Sequence, residues 1–572
     1  VPGLQGRLHR PVLGGAIQAG CGLQEGGIIQ AQGHLLGGQG ERKGQGQQQA
    51  QDVSQHGSSK NPFGRDAGAD HNRPMRIAAV DVGSNSIHLV VVEADPMGGQ
   101  QVLAREKAMV RLARGEANSG EIGPEAFQAG LDALAQMAKV IQGFECETVM
   151  ACGTAALRNA KNAQAFVMEA EKLGIPIQVI SGEEEARLIH QAVSHAIPFP
   201  QEPVALVDIG GGSTELTWVA AGRVAASISL PWGLQRLADA AQTSNPPSAH
   251  DLKQLRKMVR RILKKARKDL PTELPEPTLI LGTSGTLEDL ARGSDDGRGF
   301  TVEQLRAYAL KLWRMDGQQR IERLGVDPKR AEVLHVGAIW ALSIMEWLGS
   351  APLRHLPVGL REGMVWEALK HGGAAIPPLA ARRRASIEQL AARLDPDPGH
   401  SRQVARLADQ LFLALQPHFE LGDPERQWLA FAARLHDIGF SISEKGHHKH
   451  GEYLVRNATL PGFWPEEVDV MAQVVRFHRG KPPHHAKHEA FRALAPWHRQ
   501  VVRKLSALLR GADALDRRRR QAVRDLSVDI DEEILRVKLV AAGDVGTEMD
   551  AFREKSALLA TLLDRRIEVT VG

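Results

Sequence analysis

Cysteine is scarce in this sequence: only Cys21, Cys146 and Cys152 occur in 572 residues. Three thiols cannot build the disulfide framework of a small secreted domain, and they fit a reducing, cytoplasmic setting. Aromatic residues make up only 4%, which argues against binding single strands by base stacking. No apolar run approaches the roughly 18 residues of a membrane-spanning helix, so no integral membrane segment is expected. No sign of charge dominates. The formal net charge of +4 gives no reason to expect a specific nucleic-acid partner. With 43% hydrophobic and 24% charged residues, the chain is neither mostly disordered nor collagen-like. At roughly 150 residues per domain, its length suggests about three or four domains.

What is present is distributed unevenly. Residues 1–74 hold 17 Gly and 12 Gln and show no helical or strand period. Such a segment buries too little apolar surface to offset its ordering entropy, and it lacks the apolar core of a signal peptide. The first methionine, Met75, stands directly before the strand-like Arg76-Ile77-Ala78-Ala79-Val80. The expectation is that 1–74 is an upstream extension from a misassigned start, with a disordered tail as the alternative. From Met75 the pattern is α/β. Strands are predicted at 77–80, 87–93, 148–151, 176–180 and 204–208, and helices near 124–143 and 160–173. A second strand–turn–strand unit at 204–219 repeats the first, which suggests a duplicated fold with a cleft between its halves. The expected divisions are 75–197, 198–375 (its last helix packing back on the first), a helical 376–522 and a small α/β tail at 523–572. His371–Ala375 with Pro377 and Pro378 reads as a linker. In the tail, strands are expected at 526–530, 534–540 and 566–571, with a helix near 549–564.

Two glycine turns carry the first chemical signal. Asp81-Val82-Gly83-Ser84-Asn85-Ser86 and Asp208-Ile209-Gly210-Gly211-Gly212-Ser213-Thr214-Glu215 each follow an apolar strand. Glycine lets the backbone approach a ligand, and successive N–H groups with Ser and Thr hydroxyls make an anion nest. The Asp residues or Glu215 can hold Mg²⁺ through oxygen ligands. Ordinary hairpin turns are the plain alternative, and two turns of the same pattern favour phosphate. Gly153-Thr154 opens a further helix, a natural anion site, and Arg158 can clamp a phosphate bidentately or pair with a nearby carboxylate. Gly282-Thr283-Ser284-Gly285-Thr286 is either a third phosphate turn or a plain glycine turn. In Ser181-Gly182-Glu183-Glu184-Glu185-Ala186-Arg187, Ser181 and Glu184 fit a capping box, and Glu185 alone reads as a carboxylate favoured by the helix dipole. Cys152 reads as a small buried residue.

Asp-Val-Gly-Ser-Asn-Ser, Ile-Ser-Gly-Glu-Glu-Glu-Ala-Arg, Asp-Ile-Gly-Gly-Gly-Ser-Thr-Glu and Gly-Thr-Ser-Gly-Thr together resemble the exopolyphosphatase/guanosine pentaphosphate phosphohydrolase family. That family lies in the actin-like superfamily, and the resemblance covers roughly 75–520. It implies duplicated actin-like (ribonuclease H-like) α/β domains around a cleft. It also implies that Glu185 is the catalytic carboxylate, that Arg158 contacts substrate and that the protein forms a homodimer. Residues 330–332 and 357–364 also resemble the family, but Glu332 stands where relatives often have aspartate, and no role is assigned there.

Farther on, His400, His436-Asp437 and Asp513 resemble the HD metal-phosphohydrolase domain, with His447, His448, His450 and His478 nearby. Imidazole and carboxylate ligands suit several divalent metals, so these four residues are the candidate second metal site, and a scaffold module is the alternative. His484, His485 and His488 are expected to face solvent. Residues 253–268 hold nine Lys or Arg and no acid. They read as an amphipathic helix whose basic stripe is either a merely solvated face or a guide for a polyanion, with non-specific nucleic-acid binding as the rival. Arg382–Arg384 and Arg517–Arg520 are further basic runs.

The expected activity is Mg²⁺-dependent release of terminal phosphate from inorganic polyphosphate. Glu185 would act on water, Asp208 and Glu215 would hold the metal, and the turns at 83–86, 210–214 and 284–286 would hold phosphate. The alternatives are guanosine pentaphosphate hydrolysis, an actin-like ATPase or kinase, and a polyphosphate- or nucleotide-binding regulator without turnover.

Overall fold

The computed structural model describes residues 74–94, 99–113, 120–371 and 377–572. The expectation for 1–74 and most of the linker at 371–375 lie outside them. Five strands form the first sheet: β1 (Met75–Val82), β2 (Ile87–Ala94), β3 (Gln100–Ala108), β4 (Thr148–Gly153) and β5 (Ile177–Val179). Their order is β3-β2-β1-β4-β5, with β1–β2–β3 an antiparallel meander and β4 parallel to β1. The second sheet contains β6 (Val204–Ile209), β7 (Thr214–Ala220), β8 (Arg223–Leu230), β9 (Leu279–Thr283), β10 (Gly299–Phe300) and β11 (Leu353–His355). Its order is β10-β11-β9-β6-β7-β8, again with a meander and with β9 parallel to β6.

The parallel pairings set the site. Val82 lies opposite Gly153, and Asp208 opposite Thr283. The carboxyl ends of β1 and β4, and of β6 and β9, therefore deliver their loops side by side, where α/β sheets bind ligands. The central strands are apolar on both faces because helices cover both. Ala78, Val80 and Val82 pack with Leu134 and Phe166 on one face. Ile77 and Ala79 pack on the other with Leu188, Ile189 and Met364.

Helix Leu360–His371 thus packs on the first sheet and on helix Gly182–Ala196, which carries Glu185. Arg187 Nη1 reaches Glu367 Oε2 at 3.2 Å across this contact. A Cβ at Gly363 would lie 2.1 Å from the Leu188 carbonyl oxygen, so the close approach requires glycine.

From Leu379 to Ala514 the chain is helical, followed by a sheet of β12 (Val523–Ile530), β13 (Ile534–Ala541) and β14 (Arg566–Val571) in that order. Both parts share one core: Leu411, Phe412 and Leu508 pack in the same cluster as Leu535, Val537 and Phe552. No described helix is long and apolar enough to cross a membrane.

Some elements differ from the sequence expectation. The helix expected at 160–173 is two, Ala155–Asn159 and Ala163–Lys172. Between them, Asn162 exchanges two hydrogen bonds with the Ile122 backbone, each 2.9 Å, and anchors the break. The helix expected at 549–564 is likewise split, into Gly546–Lys555 and Ala557–Leu563. Strands β3 and β8 carry no clean alternation, because each is a partly exposed edge.

Gly363→Ala tests the close packing. Helix propensity alone would make it stabilising by about 1 kcal/mol, whereas overpacking against a backbone carbonyl costs roughly 1–3 kcal/mol. The expected outcome is a lower denaturation midpoint; an unchanged or raised midpoint would contradict this packing.

Candidate active site and a histidine–aspartate cluster

The two glycine turns close identically. Gly83 N donates to Ser86 O at 3.1 Å, and Gly210 N donates to Ser213 O at 3.0 Å. Each is braced from behind. Arg111 N and Ala113 N donate to Asn85 O and Ser84 O, while Leu234 N and Gln235 N donate to Gly210 O and Gly211 O. The turns also meet each other: a Cβ at Gly211 would sit 3.1 Å from Asn85 Cβ, and one at Gly212 would sit 2.3 Å from Ser84 Oγ. Glycine here permits the approach of one turn to the other.

Between them opens a cleft of about 730 Å³. Asp81, Glu185 and Asp208 line it, with Thr154 and the turns 83–86, 210–213 and 284–286. Its outer wall includes Arg456, Phe463 and Asp469 of the helical region. Ser84 Oγ, Asn85 Oδ1 and Ser284 Oγ are buried without hydrogen-bond partners among the described residues. Ser284 also has a φ of 79°, a left-handed conformation that is costly for a residue with a Cβ. Strain and unpartnered donors at one loop are what a ligand site requires.

Carboxylates gather at the cleft base. Glu185 is buried, and burial raises its pKa to about 7 against the opposing pull of Arg158, with Asp81 and Asp208 adding to the rise. Removal from water also raises Asp81 to about 7, although Arg361 opposes it, and raises Asp208 to about 6. Thr283 Oγ1 donates to Asp208 Oδ2. Glu215 is pushed well up by burial and by Glu185 and Asp208. Its Oε1 accepts from Ser229 Oγ at 2.8 Å, while Oε2 is buried without a partner.

The candidates Gly153, Arg158, Thr214 and Glu215 do not line the cleft. Gly153 ends β4, where a Cβ would strike Leu157. Arg158 is tied to Glu185 Oε2 at 2.9 Å and to Ile180 O at 2.8 Å. Thr214 is fully buried; its hydroxyl donates to Trp232 O at 2.7 Å and accepts from Trp340 Nε1 at 3.0 Å. That hydroxyl fastens the turn to the core. Gly285 lies against Arg330, whose Nη1 donates to Thr286 Oγ1 at 3.3 Å. Ser181 caps its helix by accepting from Glu184 N at 3.1 Å, but the Glu184 carboxylate turns to Arg187, so the capping box is half made. Burial pushes the Cys152 thiol up to about 12, which leaves it inert. Sequence reasoning assigned no role to Arg330 or Arg361, which both line the cleft. Only their neighbourhood motif, without spacing to the turns, could have signalled them.

The second cluster forms around Asp437. His400 Nε2 lies 3.4 Å from Asp513 Oδ1 and 3.8 Å from Asp437 Oδ2; His436 Nε2 lies 3.5 Å from Asp437 Oδ1. His447 and His478 join it, with Nε2 atoms 3.6 and 3.9 Å from Asp437 Oδ1. Each ring is oriented through its Nδ1: His400 to Asp516, and His436, His447 and His478 to backbone carbonyls. The His400 and His436 Nε2 atoms are buried without hydrogen-bond partners. This is the arrangement of imidazoles poised to ligate metal. Burial holds His478 neutral, with a pKa near 3. Of the remaining histidines, His484 and His485 are exposed, while His488 is half-buried against Phe477.

The comparisons with known proteins agree with this layout. Residues 90–371 match the model of the Ppx/GppA phosphatase family, and residues 382–555 match that of Ppx/GppA phosphatase, domain III. Among solved structures, a Ppx/GppA family member of Aquifex aeolicus is 27% identical, covering 52% of this chain and 98% of its own, with a TM-score of 0.45. An exopolyphosphatase from Cytophaga hutchinsonii is 24% identical, covering 53% of this chain and 100% of its own, with a TM-score of 0.48. The mixed α/β sheets and the helical C-terminal part fit the Ppx/GppA phosphatase family. With both family models matched in order along most of its length, this chain belongs to the Ppx/GppA phosphatase family and is a hydrolase of the exopolyphosphatase or GppA type.

Proposed function

We propose that the cleft removes terminal orthophosphate from inorganic polyphosphate. The observation that carries this reading is the meeting of the unpartnered hydroxyls of Ser84 and Ser284 with the cleft-lining carboxylates Asp81, Glu185 and Asp208, behind which Glu215 is buried. Phosphoryl transfer asks the protein mainly for positioning and charge neutralisation. The turns at 83–86, 210–213 and 284–286 would hold phosphate oxygens, with Arg330 and Arg361 balancing charge. Glu185 would take the proton of the attacking water as the bond from the terminal phosphorus to the bridging oxygen breaks. Arg158 holds that carboxylate in place and favours its ionised form.

The residues also fit a divalent cation. Buried, mutually repelling carboxylates with one free oxygen on Glu215 are hard-cation ligands. Asp208 and Glu215, with Asp81 beside them, would hold Mg²⁺, which when bound would neutralise phosphate charge. The matching strand orders of the two sheets support reading 75–197 and 198–375 as duplicated actin-like domains.

Phosphate release from long-chain polyphosphate and from guanosine pentaphosphate, at equal terminal-phosphate concentration with Mg²⁺, tests the reading. Polyphosphate should be preferred, and Glu185→Gln should lower kcat by about 10²–10⁴, the usual contribution of a general base. The base must be ionised, so kcat/KM should fall as pH drops below about 7. Nucleotide preference would shift the substrate assignment, and an active Glu185→Gln enzyme would remove Glu185 from its role.

We further propose that His400, His436, Asp437 and Asp513, joined by His447 and His478, form a second divalent-metal site in an HD-like domain spanning 376–522. The oriented rings and the two unpartnered Nε2 atoms support it. Elemental analysis of the purified full chain should find bound transition metal that His436→Ala removes, with phosphate release from the cleft retained. Equal metal content in both proteins would contradict the site.

A further inference from the structure

Three basic runs stand out in the sequence, and the structure uses them differently. Arg382 donates to His195 O at 2.7 Å, and Arg383 pairs with both oxygens of Glu467 at 2.8 and 2.9 Å. Arg518 is held by Glu548 and Asp544, and Arg519 by Asp437 and Asp397. Four cations of those runs are thus bound within the fold.

Helix Ala249–Ala266 is different. Leu255, Val259, Leu263 and Ala266 are buried in the core of the second sheet. On the opposite face Lys253, Lys257, Arg260, Arg261 and Lys264 are exposed and Arg256 is half-buried. These six line a shallow surface groove of about 580 Å³. None of them has a carboxylate partner among the described residues. The one acid of the helix, Asp251, is turned back to Ser244 and Ser248 in a capping box.

This composition works against the helix. Lys253 and Lys257, Arg256 and Arg260, Lys257 and Arg261, and Arg260 and Lys264 are like-charge i,i+4 neighbours, each destabilising by about 0.2–0.5 kcal/mol. The helix dipole favours cations only in the last turn. A merely solvated face would interleave acids.

We propose that this face anchors the body of a polyphosphate chain while its end is hydrolysed in the cleft. The inference rests on the exopolyphosphatase reading. Charge complementarity selects the occupant: six cations from Lys253 to Lys264 span about 17 Å of helix, facing a polymer charged at every repeat. The helix contains no Phe, Tyr or Trp for a base to stack on, which disfavours single-stranded nucleic acid. Its apolar side chains are turned to the core, which disfavours a lipid surface. The groove shares no lining residue with the cleft, so its effect falls on capture of long chains and leaves the chemistry alone.

The test uses the full chain carrying Lys253→Gln, Lys257→Gln, Arg260→Gln and Lys264→Gln together. KM for long-chain polyphosphate should rise about tenfold or more, and its salt dependence should flatten. The kcat on long chains, both constants on tripolyphosphate, and the unfolding midpoint should be unchanged. An unchanged KM for long chains overturns the proposal, as does an equal rise on tripolyphosphate. Binding of long-chain polyphosphate and of duplex DNA is measured in parallel on a Glu185→Gln background. Loss of DNA binding with polyphosphate binding intact overturns the proposal in favour of a nucleic-acid surface. If the wild-type chain releases no phosphate from polyphosphate, the exopolyphosphatase reading has failed. The binding titration then decides the anchor alone: weakened polyphosphate binding supports it and unchanged binding overturns it.

Discussion

The burial of four carboxylates, Asp81, Glu185, Asp208 and Glu215, in one place, sharpened by repulsion among them, is the constraint on which the rest of the structure depends. A carboxyl held near 7 instead of near 4 resists ionisation by on the order of 3–4 kcal/mol. Arg158 answers part of that charge directly, and Arg361 opposes it at Asp81. The remainder is an unmet demand for positive charge beside a set of phosphate-ready donors. A site built this way is pre-organised for a cation and a polyanion together, and its electrostatic preference does not have to be assembled during the reaction.

Holding such a cluster requires rigid support. The first turn is tied to the loop after β3 and the second to the start of helix Leu234–Ala241. Thr214 is pinned by Trp340. Helix Gly182–Ala196 is fixed by the packing at Gly363 and by the Arg187–Glu367 pair. The helical region closes the outer wall through ion pairs of Arg298 and Arg354 with Glu466, and of Arg298 with Asp469. Its own buried Glu467 is matched by Arg383 and Trp428.

The parts of this design that are local were legible in the sequence. An acidic residue, then glycines and hydroxyls after an apolar strand, fix a turn within a few residues, and both turns formed as their patterns indicate. The four residues His400, His436, Asp437 and Asp513 also converge. What the sequence hides is convergence between distant segments. Arg330 and Arg361 enter the cleft from helices far along the chain, and Thr214 looked like a phosphate donor until its hydroxyl proved to be taken by Trp232 and Trp340. Edge strands β3 and β8 were missed because partial exposure erased their alternation. The basic runs illustrate the same limit: all three look alike as strings, and only packing shows that Arg383 and Arg519 are paired while Lys257 and Arg260 are not.

The central claim, that the facing turns create one cation-requiring anionic centre, is tested most directly by Mg²⁺-induced thermal stabilisation at two pH values. The raised carboxyl values mean that these groups favour the folded state below about pH 4, and that this contribution is lost as pH rises through the folded values of about 6 and 7. Bound Mg²⁺ stabilises the ionised cluster by mass action. The account predicts a larger Mg²⁺-induced rise in Tm at about pH 7.5 than at about pH 5.5, lost in both Asp208→Asn and Glu215→Gln. A Mg²⁺ effect independent of pH, or undiminished in those variants, would contradict it.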